Sequence, residues 1–252
     1  MKQPIDNFSQ GGADYAAFRP ASPDALFDFL YSNVGSFEAA WDCGTGNGQV
    51  AARLAERFKE VYATDISEDQ LQYAAKKDNI TYRKERAEQT SLADNSIDLV
   101  TVAQAIHWFD FEPFYAEVTR VARPGALFAA WTYTRLKVNT EVDKVIKHLY
   151  KDITGPYWDK QRGYVDGGYE QIPFPFKEVQ TPEFSIVKRL SVEQLAGYLR
   201  TWSGVQHYMK QEQKDPVAMV MNDLLQAWGG TEAIEVLWPV RARVGIVKPH
   251  EH

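Results

Sequence analysis

The chain contains one cysteine, Cys43, in 252 residues, so no disulfide can form within it. A lone thiol suits a reducing compartment, and the expected location is cytoplasmic. No stretch reaches the roughly 18 consecutive apolar residues that a membrane-spanning helix needs. Residues 1–10 carry Asp6 among polar neighbours and lack the apolar run of a secretory leader. Excess positive charge is missing too: 28 Lys and Arg face 34 Asp and Glu, a net charge of -6. That balance speaks against duplex nucleic acid, whose counterions are displaced by a cationic face. Histidine and cysteine show no metal-site spacing, so no metal is expected. There is no internal repeat and no low-complexity tract. What is present is an ordinary globular composition, 44% hydrophobic and 25% charged, with seven tryptophans. The length fits one large domain or a core with an inserted lid.

From residue 22 to 134 helical and strand signals alternate. Helices are expected at 22–31, with Ser22 as N-cap and Pro23 in the first turn, and at 49–57, 67–76 and 111–121. Apolar strands are expected at 39–42, 61–64, 97–103 and 126–132, the helix before the last being stopped by Pro124 and Gly125. Continuous apolar strands alternating with helices are the mark of a parallel sheet with helices on both faces. Beyond Thr134 the pattern becomes helical at 138–152, 191–201 and 216–228, with a Gly, Pro, Tyr and Trp-rich stretch at 154–176. Strand character returns at 184–190 and 234–247. The expected organisation is a covering segment at 1–21, a core at 22–134, a mostly helical lid at 135–233 that includes the 184–190 strand, and a closing strand within 234–252.

Gly44, Gly46 and Gly48 sit between the first strand and the next helix, in Asp42-Cys43-Gly44-Thr45-Gly46-Asn47-Gly48-Gln49. Glycines there let the backbone turn tightly and approach a ligand, in the crevice where open α/β sheets bind. The dinucleotide fingerprint fails when counted from Gly44, because its sixth position is Gln49. Counted from Gly46 it reaches Ala51 and is met only in its looser form, leaving Asp42 unexplained. No Gly-Lys-Ser or Gly-Lys-Thr follows, which excludes a P-loop. Asp42 ends the first strand and either caps the turn or orients a cationic ligand through the loop. Asp65 ends the second and either caps the helix at Ser67 or accepts two ribose hydroxyls.

The glycine segment resembles motif I of the class I methyltransferases, Asp-x-Gly-x-Gly-x-Gly. Asp65 matches that fold's acidic residue after the second strand. Arg86-Ala87-Glu88-Gln89, Gln104-Ala105-Ile106-His107-Trp108-Phe109 and Arg123-Pro124-Gly125-Ala126-Leu127 resemble the adenine loop, the segment after strand four and the turn into strand five. The nearest likeness is to the type 11 methyltransferase group, including trans-aconitate-methyltransferase-like proteins. The N-terminal run Tyr15-Ala16-Ala17-Phe18-Arg19-Pro20 is similar to that group as well. The resemblance implies a doubly wound, mostly parallel seven-stranded α/β sheet, Rossmann-like, with a helical lid after strand five. It implies S-adenosylmethionine as cofactor and a small-molecule acceptor, with a carboxylic acid among the candidates, and neither nucleic acid nor membrane as partner.

Carried over residue by residue, the cofactor site comprises Tyr15, Arg19, Asp42, Gly44, Thr45, Gly46, Gly48, Gln49, Asp65, Ile66, Ala87, Glu88, Gln104 and His107. Arg86 departs from the acidic residue of many relatives, which passes the adenine contact to the backbone of Ala87. His107 is the candidate general base for an acceptor that must lose a proton; a carboxylate acceptor needs none. Acceptor contacts are expected from Trp131, Tyr133, Tyr157, Trp158, Arg162, Trp202 and His207, where Arg162 would pair with an acid. Two other readings stand beside this one: a cofactor-binding protein without transferase activity, and a nicotinamide oxidoreductase on a similar sheet. A nucleic-acid amine methyltransferase would show Asn/Asp-Pro-Pro-aromatic where Gln104-Ala105-Ile106-His107 stands.

Overall fold

The computed structural model of the chain describes residues 19–230 and 232–247. The first helix among these residues, α1 (Asp24–Asn33), has Pro23 and not Ser22 as N-cap. The Ser22 hydroxyl is used elsewhere, accepting a hydrogen bond from Trp131 Nε1 at 2.9 Å. The chain then runs β1 (Ala39–Cys43), α2 (Gln49–Leu54), β2 (Glu60–Asp65), α3 (Glu68–Gln72), β3 (Ile80–Lys84) and β4 (Ile97–Ala103). A 3-10 turn at Ile106–Trp108 leads into α4 (Phe111–Val121), and β5 (Ala122–Tyr133) follows without a gap. Pro124 and Gly125 therefore lie inside β5 instead of before it. The ladder accommodates them with a bulge: Ile97 pairs with Ala122 and Leu99 already with Leu127. Asp98, opposite the extra residues, holds Arg123 at 2.8 Å.

The sheet order is β3-β2-β1-β4-β5-β8-β6, with β1 to β5 parallel. The thirteen-residue β8 (Ile234–Ile246) runs antiparallel to β5. On its other side β8 pairs with two short strands in tandem, β6 (Lys177–Val179) and β7 (Phe184–Leu190). Among the described residues the sheet thus has eight strands where the resemblance implies seven. Pro182, which has no N–H to donate, lies in the break between β6 and β7.

Neighbouring residues on a strand point to opposite faces, and both faces are covered. Leu99 and Leu127 pack with Leu26 and Leu54, while Val100 and Phe128 pack with Trp41 and Phe114. Helical structure interrupts the sheet twice. Between β5 and β6 lie α5 (Thr140–His148), a π turn (Leu149–Ile153), a 3-10 turn (Gly155–Tyr157) and α6 (Arg162–Asp166). Between β7 and β8 lie α7 (Val192–Arg200), α8 (Ser203–Glu212), α9 (Pro216–Met219) and α10 (Met221–Trp228). The two insertions meet where α10 packs on α5. No helix among the described residues is long and apolar enough to cross a membrane. Strand order reverses between β1 and β4, so a crevice opens at their carboxyl ends, the usual ligand position in an open α/β sheet.

Candidate active site

The loop after β1 is held from below by its own strand neighbours. Gly44 and Thr45 both donate from their backbone N–H to the Thr64 carbonyl, at 2.8 and 3.0 Å. Gly44 has φ +68, and a Cβ there would stand 2.6 Å from Ala105 Cβ, so the loop and the segment after β4 can touch only if this residue is glycine. Asp42 is 1% exposed beneath the loop. Its carboxylate accepts from the Thr45 hydroxyl at 2.5 Å and the Thr101 hydroxyl at 2.8 Å. Burial pushes Asp42 up to about 6, against the pull of the two hydroxyls. Asp65 accepts from Gly46 N at 2.8 Å and Ser67 N at 2.9 Å, one bond to each oxygen. It therefore ties the glycine loop to the start of α3, while Ser67 itself caps that helix.

Two adjoining cavities open above these strand ends. The larger has a volume of about 320 Å³ and is lined along its floor by Asp42, Gly44, Thr45, Gly46 and Asp65. Ile66, Ala87 and Glu88 form one flank, and Arg19, Gln104 and Tyr133 another. The smaller, of about 50 Å³, shares Arg19, Gln104, Trp108 and Tyr133 with it. Beyond that shared wall the smaller cavity is lined by His107, Arg135, Asp159, Arg162, Tyr198 and Trp202. Gln104 stands at the seam in a left-handed backbone conformation, φ +57. Its Oε1 accepts from the Thr132 hydroxyl at 2.9 Å, and its buried Nε2 has no partner among the described residues. A buried amide without a partner costs about 1–3 kcal/mol, which a ligand at this point would recover.

A methyltransferase-domain family model matches residues 41–130, from β1 through most of β5. A Dictyostelium discoideum protein that carries a provisional methyltransferase name is 34% identical over 93% of this chain and 92% of its own length. An uncharacterized methyltransferase-like protein of Schizosaccharomyces pombe is 29% identical over 89% of this chain and 88% of its own. The solved structure of a provisionally assigned type II methyltransferase from Anaeromyxobacter dehalogenans superposes with a TM-score of 0.86 at 41% identity, covering 92% of this chain and all of that one. The chain belongs to the class I S-adenosylmethionine-dependent methyltransferases. The residues of this methyltransferase fit its cofactor: a hydrogen-bonding carboxylate ends β2, a left-handed glycine opens the floor, and an unpartnered amide faces the space.

The structure brings Arg19, Asp42, Gly44, Thr45, Gly46, Gln49, Asp65, Ile66, Ala87, Glu88 and Gln104 around the larger cavity. Gly48 lines neither cavity; it is the left-handed N-cap of α2, and a Cβ there would collide with the Tyr82 hydroxyl. Tyr15 lies outside the described residues. Of the acceptor candidates, Tyr133, Arg162 and Trp202 line the smaller cavity. Trp131 does not: it is 1% exposed in the core, edge-on to Phe27. Trp158 packs between Tyr150 and Trp202, its ring centroids 4.6 and 5.8 Å from theirs, and donates Nε1 to the Tyr150 carbonyl. His207 is tied to the Tyr157 carbonyl at 2.9 Å, and Tyr157 itself donates to Glu212. Neither cavity is lined by Trp158, His207 or Tyr157. Sequence reasoning passed over Arg135, which looks like a solvated loop residue. It also passed over Trp108, named in the motif but given no role. Arg86 lines the larger cavity and is paired with Glu88 at 3.2 Å, so the departure at this position is neutralised by the carboxylate two residues on.

His107 lines the smaller cavity and not the larger. Burial, with the Arg162 and Arg19 charges adding to it, pushes the imidazole down from 6.5 to about 3. The depressed value keeps the imidazole neutral at physiological pH and makes it a weaker base than an ordinary histidine. Its folded value is depressed, so between pH 6.5 and about 3 the unfolded chain holds a proton that the folded chain refuses. Its contribution to stability is complete above 6.5 and falls as the medium is acidified. Relative to His107→Gln, the protein is expected to lose about 2 kcal/mol on going from neutral pH to about pH 5, read by urea unfolding. Asp42, raised to about 6, acts with the opposite sign but is common to both proteins, so the difference isolates His107.

Proposed function

We propose that this methyltransferase methylates a small acceptor that carries a carboxylate, bound in the smaller cavity. The observation that carries the reading is the charge around that space. Among the described residues, three guanidinium groups, Arg19, Arg135 and Arg162, line it against the single carboxylate of Asp159, in a chain whose net charge is -6. Arg162 and Arg135 both lie over the Tyr150 ring, at 5.5 and 5.3 Å. Arg162 is already paired with Asp166 at 3.2 Å, whereas Arg135 has no carboxylate partner among the described residues. A cation held on an aromatic face without a counterion is arranged for an anion brought by a ligand.

In the proposed arrangement Asp65 accepts from the ribose, the backbone of Ala87 meets the adenine, and Arg19 meets the amino-acid carboxylate. Asp42 acts from beneath through Thr45, keeping the loop closed. S-adenosylmethionine supplies a methyl group already activated on a sulfonium. The protein's own task is then alignment and exclusion of water. Arg19 contributes to both: it donates to the Tyr133 hydroxyl at 2.9 Å and to the Thr201 carbonyl at 3.0 Å, joining the start of the described chain to β5 and to the end of α7. A carboxylate acceptor is nucleophilic without deprotonation, in keeping with a neutral, weakly basic His107.

The reading is tested by release of S-adenosylhomocysteine over many turnovers with a panel of small mono-, di- and tricarboxylic acids. Arg135→Ala is expected to raise the KM of any accepted acid about tenfold, roughly 1.4 kcal/mol, while calorimetric binding of S-adenosylhomocysteine stays unchanged. Turnover with neutral alcohols or amines, and none with acids, would overturn the carboxylate reading.

A further inference from the structure

Tyr169 occupies a backbone conformation that an aromatic residue seldom takes. It follows Gly168, and both are left-handed, at φ +61 and +68. At Gly168 a Cβ would come within 2.8 Å of Arg241 Cγ, so glycine is required there. At Tyr169 the Cβ is present, so the left-handed conformation is a strained one. The ring is nevertheless 1% exposed, so the turn is firmly held. What the turn achieves is the delivery of the Tyr169 hydroxyl to His107 Nδ1 at 2.9 Å.

The imidazole is fixed from a second side by Trp108, whose ring lies 4.9 Å away at 44°. The Tyr169 contact is its one hydrogen bond among the described residues. The groups facing it are mostly cationic or neutral: Arg162 and Arg19 carry charge toward it, Arg135 and Gln104 share its cavity, and Asp159 is the one carboxylate among the described residues that line that space. A neutral imidazole has a single N–H, and the partner of one nitrogen decides which nitrogen bears it. A phenol hydroxyl can donate to the lone pair of Nδ1 or accept from an N–H there; in the donating arrangement the imidazole proton sits on Nε2. The smaller cavity would then present only donors along this wall: the Nε2–H, the Gln104 amide and the guanidinium groups.

We propose that the Gly168–Tyr169 turn sets the tautomer of His107, making it a fixed neutral donor whose Nε2–H orients an acceptor oxygen. Tyr169 is the positioning residue and His107 the group that meets the acceptor. The inference rests on the reading of the smaller cavity as the acceptor site, but its central claim can be tested without an acceptor.

The experiment is long-range proton–nitrogen NMR on the whole chain with labelled imidazole nitrogens. His107 is assigned by the signals lost in His107→Gln. The expected pattern is a pyridine-type Nδ1 and a pyrrole-type Nε2, unchanged from about pH 5 to about pH 8. Tyr169→Phe keeps the ring and removes the hydroxyl; it should shift Nδ1 toward an unbonded lone pair or mix the two tautomers. Malonate added with S-adenosylhomocysteine is expected to shift the Nε2–H signal in the parent protein and less so in Tyr169→Phe. A proton on Nδ1, titration near the ordinary histidine value, or identical spectra for parent and Tyr169→Phe would overturn the proposal. These results are distinct from the Arg135→Ala comparison, which bears on the carboxylate reading alone.

Discussion

Asp65→Ala is expected to weaken binding of S-adenosylhomocysteine about a hundredfold, roughly 3 kcal/mol. Two losses combine. The proposed ribose contact disappears, and a hydrogen bond to a charged group is worth about 1.5–3 kcal/mol. The backbone N–H groups of Gly46 and Ser67, now at 2.8 and 2.9 Å from the carboxylate, also lose their acceptor. The floor of the cavity is therefore loosened as well as stripped of a ligand contact. Asp65→Asn keeps one acceptor oxygen and should fall between the two, at about tenfold. Isothermal calorimetry on the three proteins measures this directly. An unchanged dissociation constant in Asp65→Ala would remove Asp65 from the cofactor site.

Trp131→Ala carries the largest expected effect on stability, about 4 kcal/mol, because it empties a tryptophan-sized volume in the core. Trp131 joins three elements. In β5 it is paired with Ala103 of β4 and Ala242 of β8. Through its ring and Nε1 it meets Phe27 of α1 and Ser22 before it. Urea unfolding should show the lower midpoint with an unchanged slope, and Trp131→Phe should recover a large part of the loss. An acceptor-pocket role would give the opposite result, with stability kept and the acceptor KM raised.

Trp131 also shows where sequence reading reached its limit. Trp131 and Tyr133 are two residues apart on β5 and so project from the same face. Tyr133 reaches both cavities, whereas Trp131, one pleat deeper, is covered by α1. Nothing in the local sequence records that depth. β4 was legible as an apolar run bounded by turn signals, and β7 from the apolar Phe184, Ile186 and Val187 beside polar residues. β3 was missed because it sits at the sheet edge, half-exposed, without the apolar run of a buried strand. β6 is three mostly exposed residues, and only its pairing with β8 makes it a strand. In the site, the glycine loop was readable from spacing within one turn, and Asp65 from its place at the end of the second strand. Arg135 was not, because its meeting with Arg162 and His107 depends on a fold that joins distant stretches of chain.

The position of β8 has a consequence for how the molecule assembles. Its hydrogen-bonding partners span Lys177–Leu190 on one side and Leu127–Tyr133 on the other, so β5 awaits an edge encoded more than a hundred residues later. Seven buried or nearly buried positions of β5, Leu127–Tyr133, keep an open edge throughout that delay. Late, long-range pairing of this kind slows folding and leaves an apolar edge able to recruit another chain. During synthesis, the half of the sheet from β3 to β5 can form early, while the half built on β8 closes last and shields β5 from aggregation.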